Sequence, residues 1–495
     1  MKPSRIAFLL IVALSLSKVG LASQEELVAA IEKHMAGVSS DVQVGLVVRE
    51  AESGKLLYSY GAELPLNPAS NTKVLSTLAA LSTFGPDYAF KTQFLIPDEG
   101  KGKKKKKKKE KKEKPEKVEL KLENGLLPAL ILKGFGDPLL SSEDLHKMAA
   151  ELKGKGVREI ASLRVDGTYF DEGDFPGQMQ GRQRDSKFNC SVGALSIDHN
   201  QLFVNVSPGD SVGSPAIVEF EPPMNHFPVE GEVQTLRRKG QVRLRTQNDA
   251  GEELGVQVSG GIALSSTPLR YRVSIHQPLQ LAAFRLRDAL SAQGIALPPE
   301  IEFGPAPERT KVLVEHRSLP LSIILQEINK RSDNFMAEQL TKALGAEAQG
   351  APGTTQKGVA AILQELKNLG VAISDVDIEN GSGLSRVNRF SAQTLAQALQ
   401  VAYASPELRQ NFLSSLSVLG VDGTLRRKFR RSDLAGRFFG KTGTLNGVSS
   451  LSGYAFPKSS DSEAFIYAFI VNGNGRNFWK EKQRGQEILQ TLLNW

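Results

Sequence analysis

The two ends of this 495-residue chain carry the same kinds of element, and they can complete each other only across a long interior. Near the start, residues 25–35 have helical spacing, while 42–48, the turn at Ser53-Gly54 and 56–60 read as strand, turn and strand. Near the other end, 448–456 and 464–471 are strand-like, and Ile488, Leu489, Leu492 and Leu493 form the apolar stripe of a closing helix. Between them, 129–132, 142–153 and 163–170 predict strand, helix and strand. From about 202 to 264 the chain turns to short β-like runs, among them 216–220, 241–246 and 255–258, separated by Pro, Gly and Asn. A strand at 271–275 and a helix at 278–293 restore α/β character. The layout predicts a multidomain α/β protein, since a chain this long exceeds what one core serves. Its first domain would be discontinuous (23–93 and 311–495), with an inserted α/β domain (94–200 and 269–310) that itself carries a β-rich domain (201–268).

Bulk properties exclude several classes. Hydrophobic residues at 40% and charged ones at 23% argue against general disorder and against a polytopic membrane protein. Lys2 and Arg5, an apolar run over 6–16 and the small residues Gly20, Ala22 and Ser23 read as a secretory signal over 1–22. That run is shorter than the roughly 20 residues an uncleaved anchor needs. Export to the periplasm or cell-wall space is therefore expected, with no transmembrane segment after signal removal. Cys190 is the single cysteine, so an intramolecular disulfide and a thiolate metal cluster are excluded, and it reads as structural rather than as a catalytic thiol.

The formal charge of +8 suggests nucleic acid until its source is located. Twelve lysines against Glu110, Glu113 and Glu116 give residues 101–117 a charge of +9, leaving −1 for the rest. No nucleic acid is expected. The lysine run reads as a solvated loop, or else as a contact to anionic wall polymers or lipid headgroups. Six histidines show no metal-type spacing, and neither metal nor cofactor is expected.

Three short motifs carry chemistry. Asn67-Pro68-Ala69-Ser70-Asn71-Thr72-Lys73 precedes Val74, Leu75, Leu78 and Leu81, an apolar pattern of helical period with Asn67 and Pro68 as start residues. Lys73, three residues on from Ser70, then shares its face. A serine hydroxyl needs a base to become a nucleophile, and a buried lysine of depressed pKa can serve. Alone the pair is weak, because Ser15-Leu16-Ser17-Lys18 matches it too. The second motif is Ser332-Asp333-Asn334, where a hydroxyl and a carboxamide could relay a proton and hold a substrate amide, although such a tripeptide is also an ordinary helix cap. The third, Lys441-Thr442-Gly443-Thr444, offers a cation and two hydroxyls along a strand edge for a carboxylate, with Gly443 allowing close approach.

Taken in order, Ser70-x-x-Lys73, Ser332-Asp333-Asn334 and Lys441-Thr442-Gly443 resemble the signature of penicillin-binding proteins and serine β-lactamases. The 262 positions from Ser70 to Ser332 make the chain similar to the type-4, low-molecular-mass class C penicillin-binding proteins, D-alanyl-D-alanine carboxypeptidases and endopeptidases with two inserted domains. Gly134-Phe135-Gly136-Asp137-Pro138, Gly381-Ser382-Gly383-Leu384-Ser385-Arg386 and Asp422-Gly423-Thr424-Leu425 also resemble family text. Asn380 departs from it, standing where the family usually has Asp, and the lysine run is a second departure.

The resemblance implies a serine β-lactamase/transpeptidase-like catalytic domain, an antiparallel sheet flanked by helices. It implies that Lys73 deprotonates Ser70, that the backbone N–H groups of Ser70 and Thr444 hold the oxyanion, and that Ser332 protonates the leaving amine. Asn334 would hold a substrate amide, Lys441 would set the field, and Thr442 and Thr444 would bind the terminal carboxylate. Arg386, Asn446 and Asp171 are candidate contacts to the stem peptide or, equally, structural pairing residues. The implied partners are peptidoglycan peptides and β-lactams. The alternatives are a serine β-lactamase, or a catalytically silent peptidoglycan-binding protein. Carboxypeptidase and endopeptidase action are the same acyl transfer with different leaving groups, and the sequence leaves both open.

Overall fold

A computed structural model describes residues 24–98, 120, 122–172, 191–224, 227–247, 254–428, 433–459 and 463–495. The expected signal over 1–22, the lysine run at 101–117 and Cys190 lie outside the described residues. The chain divides into two compact units, one of Met1–Asp87, Leu321–Ala337 and Val359–Trp495, the other of Tyr88–Pro320 and Glu338–Gly358.

The first unit is built on a six-stranded antiparallel sheet. Its order is Ser417–Val418, Phe438–Leu445, Val448–Ala455, Phe465–Asn472, Gln43–Glu50 and Leu56–Tyr60. The strand from the front of the chain runs beside the one from the back in unbroken register, from Gln43 opposite Asn472 to Glu50 opposite Phe465. Period-two alternation sends Val44, Leu46 and Val48 to one face, where they meet Leu27 and Ile31 of a helix at 24–35 and Ile488, Leu489 and Leu492 of the helix Gly475–Asn494. On the other face Gly45 packs against Ala392, and the buried Tyr454 hydroxyl donates to Leu399 O at 2.8 Å. Both contacts belong to the helix Ala392–Ala404, which Ser391 caps by accepting from Thr394 N.

The helix Thr72–Phe84 is buried from Thr72 through Leu81. A helix with no wet face is central to its unit, and the polar groups on it must find partners inside. The helices Leu321–Arg331, Ala392–Ala404 and Pro406–Ser415 had no counterpart in the sequence reading. Among the described residues no helix is long and apolar enough to cross a membrane.

The second unit holds a five-stranded mixed sheet in the order Glu302–Phe303, Leu163–Asp166, Leu130–Gly134, Lys91–Pro97 and Thr310–Arg317. The helices Ser142–Gly154 and Pro278–Ala292 close its core. The strands from Gln201–Ser207 to Leu269–Ser274 form two further sheets around a separate apolar cluster that includes Val204, Val256 and Val273.

Within this unit the Gly134–Pro138 text has a structural use. Asp137 is buried, its Oδ1 accepts from Leu139 N at 2.9 Å, and His316 Nε2 lies 3.3 Å from its Oδ2. The hydrogen bond to Asp137 raises the His316 pKa above the usual 6.5, against the opposing effect of burial. Asp144 adds to the rise and Lys147 subtracts from it. A folded-state pKa above the unfolded one gives stability that is full below 6.5 and fades as pH climbs through the raised value. His316→Gln should remove that component, so urea midpoints of wild type and variant should differ more on the acid side of the window than on the alkaline side. A constant difference across the window would show that the pair contributes nothing.

Candidate active site

The chain brings its three motifs together through helix ends and one strand. Asn67 Oδ1 accepts from Ala69 N at 2.9 Å and fixes the turn that precedes the short 3₁₀ helix Ala69–Asn71. Ser70 lies on that turn, at the start of the buried helix that carries Lys73. Asn71 locks the turn to the neighbouring strand: its Nδ2 donates to Ser450 Oγ and its Oδ1 accepts from Ser452 Oγ, both at 2.6 Å. Ser450 in turn donates to Pro68 O at 2.6 Å.

Lys73 is wholly buried, and its Nζ lies 2.6 Å from Ser382 O, 2.7 Å from Asn334 Oδ1 and 3.3 Å from Ser70 Oγ. The pair that sequence spacing placed on one face is therefore in reach, and the second motif meets it through Asn334. The geometry of that motif comes from a break between helices. Leu321–Arg331 ends, Ser332 takes a left-handed conformation with φ 57°, and Asn334–Gln349 begins with Asp333 Oδ1 accepting from Met336 N at 2.9 Å. Asp333 is thus the cap, which frees its neighbours on either side for the site.

Ser332 Oγ accepts from Lys441 Nζ at 2.8 Å, and Lys441 also donates to the carbonyl of Thr442 at 2.8 Å. Burial in the first place, and the neighbouring Lys73 in the second, push the Lys441 ammonium well below its ordinary value. The third motif lies inside its own strand, Phe438–Leu445, which hairpins into Val448–Ala455. Gly443 is required there: a Cβ would stand 2.2 Å from Ser450 Oγ, 2.6 Å from Pro68 O and 3.0 Å from Ser70 N. Only bare backbone lets this strand lie against the turn that carries the serine.

Several residues of the site were not singled out by side-chain chemistry. Ser382 contributes a main-chain carbonyl, which no residue type advertises. Its loop is shaped by Asn380, whose Oδ1 accepts from Gly383 N and Asn388 Nδ2, each at 3.1 Å. The carboxamide that departs from the expected Asp is thus an acceptor here. Gly383, at φ +78°, is the second glycine that the site needs, since a Cβ would stand 2.0 Å from Ala69 O. Thr424 accepts from the Thr442 hydroxyl at 2.8 Å. Arg386 is exposed and donates to the Asn446 carbonyl at 3.0 Å. Asp171 belongs to the other unit, where Lys342 Nζ lies 2.8 Å from its carboxylate.

Comparison with known proteins gives this geometry a family. The D-Ala-D-Ala carboxypeptidase 3 (S13) family matches residues 27–113 and 116–492. The chain belongs to that family. A D-alanyl-D-alanine carboxypeptidase of Actinomadura sp. strain R39 is 31% identical over 445 residues, 87% of this chain and 78% of the relative. The carboxypeptidase DacB of Haemophilus influenzae is 24% identical over 457 residues, 91% and 90% of the two chains. The crystal structure of penicillin binding protein 4 from Haemophilus influenzae superposes with a TM-score of 0.75 at 22% identity, covering 94% of this chain and 99% of that one. The fold is accordingly the mixed α/β, multidomain architecture of that structure. This S13 chain is a serine-type D-Ala-D-Ala peptidase, and neither a β-lactamase nor a silent binder is favoured by these matches.

Because Gly443 sets how closely the strand approaches Ser70, Gly443→Ala should slow acylation by a fluorescent penicillin. A displacement of about 1 Å typically costs on the order of 10²-fold. Wild-type labelling rates in a folded Gly443→Ala protein would contradict this role.

Proposed function

We propose that Ser70 is the nucleophile of a D-alanyl peptidase that acts on peptidoglycan stem peptides, with Lys73 as its base. The observation that carries this reading is the Lys73 amine held by two carbonyl-type acceptors with Ser70 Oγ as its third neighbour. A neutral amine has two N–H groups for Asn334 Oδ1 and Ser382 O, which leaves its lone pair toward the serine hydroxyl. Lys73 then takes the hydroxyl proton as Ser70 Oγ bonds to the carbonyl of the penultimate D-alanine. The carbonyl electrons move to the oxygen, held by the backbone N–H groups of Ser70 and Thr444. As the peptide C–N bond breaks, Ser332 passes a proton to the leaving amine and is replenished from the Lys441 side. Water then hydrolyses the ester and frees Ser70.

Asn334 is assigned a second task, donating its amide to a substrate carbonyl while its oxygen stays on Lys73. Thr442 and Thr444 are assigned the carboxylate of the leaving residue. Arg386 and Asn446, joined to each other, are proposed as one edge of the stem-peptide site. The expected signal segment and the cell-wall substrate support an exported protein of the periplasm or wall space. We retain as part of the proposal the nested β-rich segment 201–268 as a domain of its own and the lysine run as a contact to anionic surfaces.

Purified sacculi are the direct substrate for a test. Mass spectrometry of muropeptides should show loss of terminal D-alanine, opening of D-alanyl cross-links, or both, with wild type. Ser70→Ala should release neither product above background, since losing a nucleophile of this kind costs about 10⁶-fold. Undiminished release by a folded Ser70→Ala protein would sink the assignment.

A further inference from the structure

The alternation of the Phe438–Leu445 strand divides the third motif between two sides. Lys441 turns to Ser332, whereas Thr442 and Thr444 stand on the opposite face. That face is not closed. Thr442 and Thr444 line a cleft of about 360 Å³, walled also by Thr424, Ser449, Lys428 and Lys482 and floored by Tyr467 and Phe469. The helix Gly475–Asn494 borders it at Gly485, whose carbonyl accepts from the buried Tyr467 hydroxyl at 2.6 Å. Among the described residues no carboxylate side chain lines the cleft.

The charge in this cleft is one-sided. Lys428 is half-buried, and among the described residues neither it nor Lys482 makes an ion pair; Lys482 instead lies 4.7 Å from the centroid of the Trp479 ring. Burial, and then the neighbouring Lys482 cation, lower the Lys428 pKa. A surface lysine gains little from an anion because water already solvates both. A lysine already stripped of part of its water, beside a row of hydroxyl donors and with no acid of its own, has much more to gain.

We propose that this cleft receives the carboxylate of the leaving D-amino acid, with Lys428 as its counter-ion. The inference rests on the reading of Thr442 and Thr444 given above and adds the cation that reading lacked. The two hydroxyls orient the carboxylate, Lys428 neutralises it, and Lys482 contributes at longer range. Selection for a free terminal carboxylate then comes from a residue outside the three motifs.

The test compares a diacylated peptide ending in D-Ala-D-Ala with its terminal carboxamide, using the full chain. Lys428→Met, which keeps the stem and removes the charge, should lower kcat/KM for the carboxylate peptide about 10- to 100-fold, mainly through KM. Cleavage of the carboxamide should be unchanged, and Lys428→Arg should restore the preference. Thermal unfolding of each variant reports whether the fold is intact. Equal losses on both peptides, or no loss on either, would overturn the proposal while leaving the serine peptidase reading in place. Failure of the wild type to cleave either peptide would overturn that reading and this one with it.

Discussion

Lys73 is an amine with no access to water, on a helix that has no exposed face through that stretch. Taking a lysine out of water carries a free-energy cost of several kcal/mol unless its polar hydrogens are met inside. The segments around it are arranged as that requirement dictates. The loop at 381–385 turns so that a main-chain oxygen faces the amine, and the helix Asn334–Gln349 begins where its first side chain can do the same. The turn at Ala69–Asn71 then places a hydroxyl at the remaining side. The turn is the lysine's own neighbour in sequence, whereas the other two segments come from distant parts of the chain, and the lysine ties all three to one point.

A second buried cation reinforces the first. Lys441 is sealed within the same unit, where burial first and the neighbouring Lys73 second make its charged form less favourable. The cost is borne by packing elsewhere, as in the apolar layer between the sheet and the two terminal helices. The continuous register between Gln43–Glu50 and Phe465–Asn472 makes that layer a single structure even though the strands are joined through the rest of the chain.

What the sequence made legible followed from periodicity and from reactive side chains. The strand-like runs at 42–48 and 464–471 foretold two strands that prove to be partners, and the spacing of Ser70 and Lys73 foretold their proximity. The helices at Ala392–Ala404 and Pro406–Ser415 are harder to read, the first because alanines at 392, 396, 398, 402 and 404 dilute the short stripe of Leu395, Leu399 and Tyr403. The left-handed Ser332 was illegible because the residue that breaks the two helices is also one the site uses. The Ser382 carbonyl and the Asn71–Ser450–Pro68 chain of bonds were illegible for a different reason: they depend on tertiary placement, and any residue supplies a carbonyl. Lys428 and Lys482 resemble surface charges in the sequence, and only the fold sets them beside the same hydroxyls.

The central claim is that the hydroxyl beside the buried amine is the one that becomes acylated. Peptide mapping by mass spectrometry after brief exposure of the native protein to a penicillin reads this directly. The account predicts one adduct per chain, on the peptide containing Ser70 and localised to that side chain. An adduct on any other residue, or none in a protein that still cleaves D-alanyl peptides, would contradict it.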